Sequence, residues 1–317
     1  MKRLVWMFSG QGSQYYGMGA DLYEQDPLFR QELQRCDDYL RPHLNASLID
    51  IIYSTRATDR FADFSRTLYT HPALFSIQYS LARTLLRQTL RPEALVGYSL
   101  GEIVAAAVGD VLPLETALAL VVDQARLLES SVVPGAMIAI IESPAIAADN
   151  PDLFAGTWLA AHNYGTHFVQ AGDRGAVGRI REFMERKGVI CQVLPVRTAF
   201  HTPHLDSMEG LFRERCMNLQ LRDPSIAIIS ARRTAGCGNI SKEYFWQAVR
   251  EPVRFKDTLE SLEQTGCCYY VDLGPSGTMA SFVKYGLSLD SRSSFQAIIT
   301  PFNQASRNIC KVFNGVA

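Results

Sequence analysis

The chain has 317 residues, 47% of them hydrophobic, and a formal net charge of -1. That apolar content suffices for a sizeable core, one large domain with an insert. A near-neutral chain without a basic block argues against nucleic acid or an anionic membrane as partner.

The first apolar run, residues 4–8, is short and stops at glycine, which predicts a buried strand. It is also too short for a signal peptide. The polar loop Ser9-Gly10-Gln11-Gly12-Ser13-Gln14 follows, and the end of a strand is where open α/β sheets place ligands. The loop is not G-x-G-x-x-G and has no acidic residue at the expected distance, which argues against a dinucleotide site. Helical patterning runs to about Leu44 and again over residues 74–90, and Leu95-Val96 then forms a second strand.

That strand delivers the chain to Gly97-Tyr98-Ser99-Leu100-Gly101, followed by Glu102 and the helix-forming residues 103–108. The pattern is G-x-S-x-G, in which a sharp strand-to-helix turn exposes a serine. Glycines on both sides suit a turn with no room for Cβ atoms. The amide of Leu100 would point at charge developing on a substrate carbonyl. Strand, helices, strand, elbow and helix together predict a mostly parallel sheet wrapped by helices. The region 112–122 is broken by Pro113 and Glu115, so no stretch is long enough to span a bilayer.

Beyond about Gly135 the rhythm changes. Strands are predicted at 137–141, 158–161, 168–171 and 190–194, with helices at 144–150 and 177–187. The order β-α-β-β-α-β is ferredoxin-like. It marks 131–196 as a small inserted subdomain within a large domain of 1–130 and 197–317, with the active site in the cleft between them.

The chain then enters Thr198-Ala199-Phe200-His201-Thr202-Pro203-His204. Two histidines three apart have no third ligand cluster beside them, and Pro203 opposes a regular helix holding both, so no metal is expected. A general base for Ser99 fits His201 better, since serine attack needs a nitrogen base within hydrogen-bond reach. The order Ser then His is that of the hydrolases. Asp206, Asp272 or a backbone carbonyl could orient the imidazole. Asp272 sits where a strand ends in a turn, which suits local hydrogen bonding. The seven cysteines, Cys36, Cys191, Cys216, Cys237, Cys267, Cys268 and Cys310, are odd in number and lack C-x-x-C spacing. They read as reduced thiols of a cytoplasmic protein, with Cys267 and Cys268 in a buried strand.

Together these motifs resemble a known family. The segment from Phe8 to Gln14 is similar to F-P-G-Q-G-S-Q. Thr70-His71-Pro72-Ala73-Leu74-Phe75 is similar to T-Q-P-A-L-F, Gly97 to Glu102 to G-H-S-L-G-E, and Thr198 to His204 to H-A-F-H-S-P-H. Glu251-Pro252-Val253-Arg254-Phe255 and Asp272-Leu273-Gly274-Pro275 resemble the closing motifs. The family is the malonyl-CoA:acyl carrier protein transacylases, which include the acyltransferases of polyketide synthases. The resemblance reaches to about residue 285 and implies an α/β-hydrolase-like large domain. It also implies a Ser99–His201 dyad, an oxyanion hole from the amides of Gln11 and Leu100, and a backbone carbonyl, assigned to Ala248, that orients His201. Substrate would arrive on the phosphopantetheine of an acyl carrier protein domain of a polyketide synthase, with no metal or redox cofactor. The chain is taken as a monomer.

The departures carry the functional expectation. Malonyl transferases place an arginine 25 positions after the serine to pair with the malonyl carboxylate, and that count reaches Gln124 here. Arg126 is two residues on, about 200° around a helix, and so faces elsewhere. Glutamine cannot make the charged fork that recognises a carboxylate, so burying malonyl there would cost on the order of several kcal/mol. His71 stands where the family has glutamine and Tyr98 where it usually has histidine, while Asn163 is retained. With Phe200, these are the expected substrate-binding residues. A branch found with polyketide synthases that lack built-in acyltransferases has lost the same arginine and hydrolyses non-malonyl acyl groups from carrier proteins as proofreading. The expected function is that acyl hydrolase, matched by the stand-alone chain and by Gln124. The alternatives are an acyltransferase loading acetyl or malonyl units and a non-catalytic carrier-protein-binding module. The latter is disfavoured because Gln11, Ser99 and His201 are all present.

Overall fold

The computed structural model describes residues 2–53, 64–232 and 240–316. Cys237 lies outside the described residues. Five parallel strands form the main sheet: β1 (Arg3–Phe8), β2 (Ala94–Gly97), β7 (Ala227–Ser230), β8 (Cys268–Asp272) and β9 (Ser294–Ala297), in the order β7-β2-β1-β8-β9. From Leu4 on, every residue of β1 is buried, as a central parallel strand covered on both faces requires. The register pairs Phe8 with Gly97, so the Gln11 loop and the Ser99 elbow leave the sheet side by side at its carboxyl edge. Pairing of β1 with β2 is therefore what brings two motifs far apart in sequence to one place. Helices Thr67–Arg87, Gly101–Val108 and Leu114–Ser131 pack on one another around this centre.

A second, antiparallel sheet comprises β3 (Ala136–Ile140), β4 (Thr157–Tyr164), β5 (His167–Gly172) and β6 (Cys191–Val193) in the order β4-β5-β3-β6. This is the ferredoxin-like arrangement expected for the insert. Alternation splits its faces: Ile138, Ile140 and Phe168 pack with Val177, Ile180 and Met184 of helix Arg174–Arg186, whereas Met137, Ala161 and Val169 join the main core. The helix begins three residues before the expected 177, and β6 covers only three of the five residues expected for it. Of the adjacent cysteines only Cys268 lies in a strand and is buried, while Cys267 precedes it and is exposed. Among the described residues no helix is long and apolar enough to cross a membrane.

Candidate active site

Ser99 occupies the left-handed region at φ 56°, which a side chain other than glycine adopts only when its surroundings impose it. The glycines around it leave no alternative. A Cβ on Gly101 would lie 2.1 Å from the carbonyl oxygen of Phe8, one on Gly97 would lie 2.5 Å from Cα of Glu102, and one on Gly10 2.9 Å from Cβ of Ser99. Leu100 is the N-cap of helix Gly101–Val108. Neither its amide nor that of Gln11 donates a hydrogen bond among the described residues. The Gln11 loop is held from behind by Gln78. Its amide accepts from the backbone N–H of Ser9 at 2.7 Å and donates to the carbonyl of Ser9 at 3.1 Å. No sequence motif signalled that clamp.

His201 is also left-handed, at φ 62°. The loop around it is pinned by Thr202, whose hydroxyl donates to the carbonyl of Ala199 at 2.7 Å and accepts from the N–H of His204 at 3.2 Å. His201 Nε2 lies 2.9 Å from Ser99 Oγ, and Nδ1 lies 2.8 Å from the carbonyl oxygen of Glu251. A carbonyl can only accept, so Nδ1 carries the proton and Nε2 presents its lone pair to the Ser99 hydroxyl. Burial lowers the His201 pKa to about 4, against the opposing pull of the Glu251 carbonyl, and the cations Arg232 and Arg250 lower it further. The imidazole is therefore neutral, the form that accepts a proton.

The orienting carbonyl is that of Glu251, not Ala248. Ala248 lies within helix Glu243–Arg250, where carbonyls run along the helix axis. Glu251 precedes Pro252, which bars it from the helical region. Its backbone is extended, at φ -81° and ψ 150°, and its carbonyl leaves the axis. The residue before proline in Glu251-Pro252-Val253 was the signal that could have identified it. Asp206 does not orient His201, because it pairs with Arg250 Nε at 2.5 Å. Asp272 makes local bonds, accepting from the amides of Gly274 at 2.8 Å and Ala280 at 3.0 Å. His204 turns away toward Asp173, 3.6 Å distant.

A cavity of about 50 Å³ adjoins the pair, lined by Gln11, Tyr98, Ser99, Met137, Ala161, Val169, Leu194, Phe200 and His201. It shares Gln11, Tyr98, Val169 and Leu194 with a wider cleft of about 330 Å³ between the two sheets. Tyr98 and Asn163 meet across this cleft. The Tyr98 hydroxyl donates to Asn163 Oδ1 at 3.0 Å, and Asn163 Nδ2 donates to His167 Nδ1 at the same distance. Phe200 lines the cavity as expected. His71 and Gln124 do not line it. His71 is buried behind Phe200, ring centroids 5.8 Å apart, and Gln124 is buried on helix Leu114–Ser131. Arg126 faces elsewhere as expected, donating to the carbonyl of His43. Among the described residues no lysine or arginine lines either space. The nearby histidines are uncharged as well, since burial lowers His71 to about 3 and His167 to about 4.

The family model for the acyl transferase domain matches residues 5–309, and the chain belongs to that family. Among curated proteins it is 38% identical over 309 residues to the polyketide biosynthesis acyltransferase homolog PksD of Bacillus subtilis, covering 96% of this chain and 94% of the relative. It is 36% identical over 314 residues to the homolog BaeD of Bacillus velezensis, covering 99% and 96% of the two chains. Among solved structures, the acyltransferase domain from the second module of the salinomycin polyketide synthase superposes with a TM-score of 0.86 at 28% identity, covering 98% of this chain and 72% of that one.

Proposed function

We propose that this protein is an acyl hydrolase that releases monocarboxylic acyl groups, acetyl among them, from acyl carrier protein thioesters through an acyl-serine, as a proofreading step in polyketide biosynthesis. The observation that carries the reading is that, among the described residues, no cationic side chain lines the cavity at Ser99 or the cleft leading to it. A malonyl carboxylate in the small cavity at Ser99 would have no cationic partner among the described residues, whereas a neutral acyl group needs none. The cavity volume supports a short acyl group, since a space of that size holds only a few non-hydrogen atoms.

In this mechanism the phosphopantetheine arm enters by the wider cleft. Ser99 Oγ attacks the thioester carbonyl while His201 Nε2 takes its proton. The free amides of Gln11 and Leu100 hold the oxyanion. His201 returns the proton to the leaving thiol, then activates water to release the acid. No step calls for a metal or a redox cofactor. Transfer of the same neutral group to a second carrier thiol would use the same acyl-serine, and the family's transferase chemistry favours it as the second reading.

The test compares release from acetyl-, butyryl- and malonyl-carrier protein. Acetyl should exceed malonyl by at least about tenfold, the factor that 1.4 kcal/mol of uncompensated carboxylate would produce. Equal rates would overturn the substrate assignment.

A further inference from the structure

Behind the dyad lies a buried ion cluster that the chemistry above does not use. Arg232 follows β7 and its side chain is only 1% exposed. Its Nε lies 3.9 Å from Glu102 Oε1, and its Nη1 donates to Glu251 Oε2 at 2.5 Å. The guanidinium also sits over the Tyr244 ring, 5.3 Å from the centroid. Glu102 is fully buried in the first turn of the elbow helix, three residues after Ser99. It accepts from the hydroxyls of Ser230, at 2.5 Å, and Tyr244. Glu251 is the residue whose carbonyl holds His201. One guanidinium thus touches the helix that carries the nucleophile and the residue that orients the base.

We infer that Arg232 is a positioning residue for catalysis, which grips the Glu251 side chain so that the Glu251 carbonyl holds His201 against Ser99. Pro252 confines Glu251 to extended backbone but leaves its ψ free over about 40°. The Glu251 side chain is 46% exposed, and among the described residues Arg232 is its only hydrogen-bond or ion-pair partner. The pair with Arg232 removes that freedom. The guanidinium bonds the Glu251 carboxylate through Nη1 and lies within ion-pair distance, but not hydrogen-bond distance, of Glu102. Burying a guanidinium is costly unless it is paired, which sets Arg232 apart from the solvent-exposed arginines of the chain. The inference rests on the Ser99–His201 reading but not on whether water or a thiol completes the reaction.

The test exploits the fact that Glu251 acts through its backbone. Glu251→Ala keeps the accepting carbonyl and removes only the grip. In single-turnover acylation by acetyl-carrier protein, Glu251→Ala and Arg232→Met should each be slowed by about tenfold to a hundredfold, as small misplacement of a reacting group costs. KM should stay unchanged, and Glu251→Gln, which retains an acceptor oxygen, should recover most of the rate. The double variant Arg232→Met with Glu251→Ala should be no slower than the slower single variant, because both remove one device. The proton resonance of His201 Nδ1–H, shifted downfield by its hydrogen bond, should be present in the native protein and exchange-broadened in Glu251→Ala. Wild-type acylation by Glu251→Ala, or losses that multiply in the double variant, would overturn the inference. Glu251→Ala carries the test alone if Arg232→Met does not fold. Failure of the native protein to acylate Ser99 from any of acetyl-, butyryl- or malonyl-carrier protein would instead overturn the dyad reading itself.

Discussion

His71 offers a quantitative check on the electrostatics beneath the acyl cavity. It is 1% exposed, and among the described residues neither ring nitrogen has a hydrogen-bond partner. Burial alone depresses its pKa from 6.5 to about 3. At pH 5 the native state therefore leaves this imidazole neutral while the unfolded chain protonates it, so stability is lost as pH falls below the unfolded pKa. Each pKa unit is worth 1.36 kcal/mol, so the 1.5 units between pH 5 and the unfolded value amount to about 2 kcal/mol. In His71→Leu that loss disappears, as does the cost of two unsatisfied nitrogens. The assay is urea unfolding of native and His71→Leu proteins at pH 7 and pH 5. Every other titrating group cancels in the difference between the two. The stability of His71→Leu relative to native should rise by about 2 kcal/mol between pH 7 and pH 5. A difference that is the same at both pH values would refute the reasoning, and would mean that His71 has a partner or a solvent path in the folded protein.

Three further outcomes follow from the site. Ser99→Ala should fold normally and form no acyl-enzyme by intact-mass measurement, with turnover reduced on the order of a thousandfold or more, and His201→Ala should be nearly as slow. Because His201 must be neutral to accept the proton and its pKa is lowered to about 4, kcat/KM should be level from pH 7 down to pH 5 and fall only below that; an acid limb near the ordinary histidine value would contradict the burial argument. Gly101→Ala should lower stability by about 3 kcal/mol or more, read as a large fall in Tm, since its Cβ would meet the Phe8 carbonyl at 2.1 Å and backbone cannot yield there.

The elbow, the approach of His201 to Ser99, three strands of the main sheet and the insert's sheet were legible in the sequence, whereas the four-residue strands β7 and β9 were not singled out. Apolar runs ending in glycine gave β1 and β2, and their pairing then joined Gln11 to Ser99 without further information. The ferredoxin-like insert was legible from the order of its elements, although the apolar residues Ile190 and Leu194 on either side of β6 made the strand read longer than it is. Glu251 was not, because an orienting carbonyl has no side-chain signature and counting along a motif cannot say which carbonyl leaves a helix axis. Only the proline that follows it fixes that. Gln124 and His71 were read as facing the acyl group from their places in the motifs, but both are buried in helices and neither lines the cavity, with Phe200 between His71 and it. Arg232 was invisible because its two partners, Glu102 and Glu251, are brought together only by the fold.

Whether water resolves the acyl-serine of a neutral acyl group is read by following the acyl group itself. Acetyl-carrier protein and a second, unacylated carrier protein of different mass are mixed with the enzyme in oxygen-18 water, and all products are weighed by mass spectrometry. Hydrolysis gives acetate carrying one oxygen-18 atom and leaves the second carrier unacylated. Acetyl appearing on the second carrier, with no labelled acetate, would contradict it and identify the protein as a transferase of monocarboxylic units.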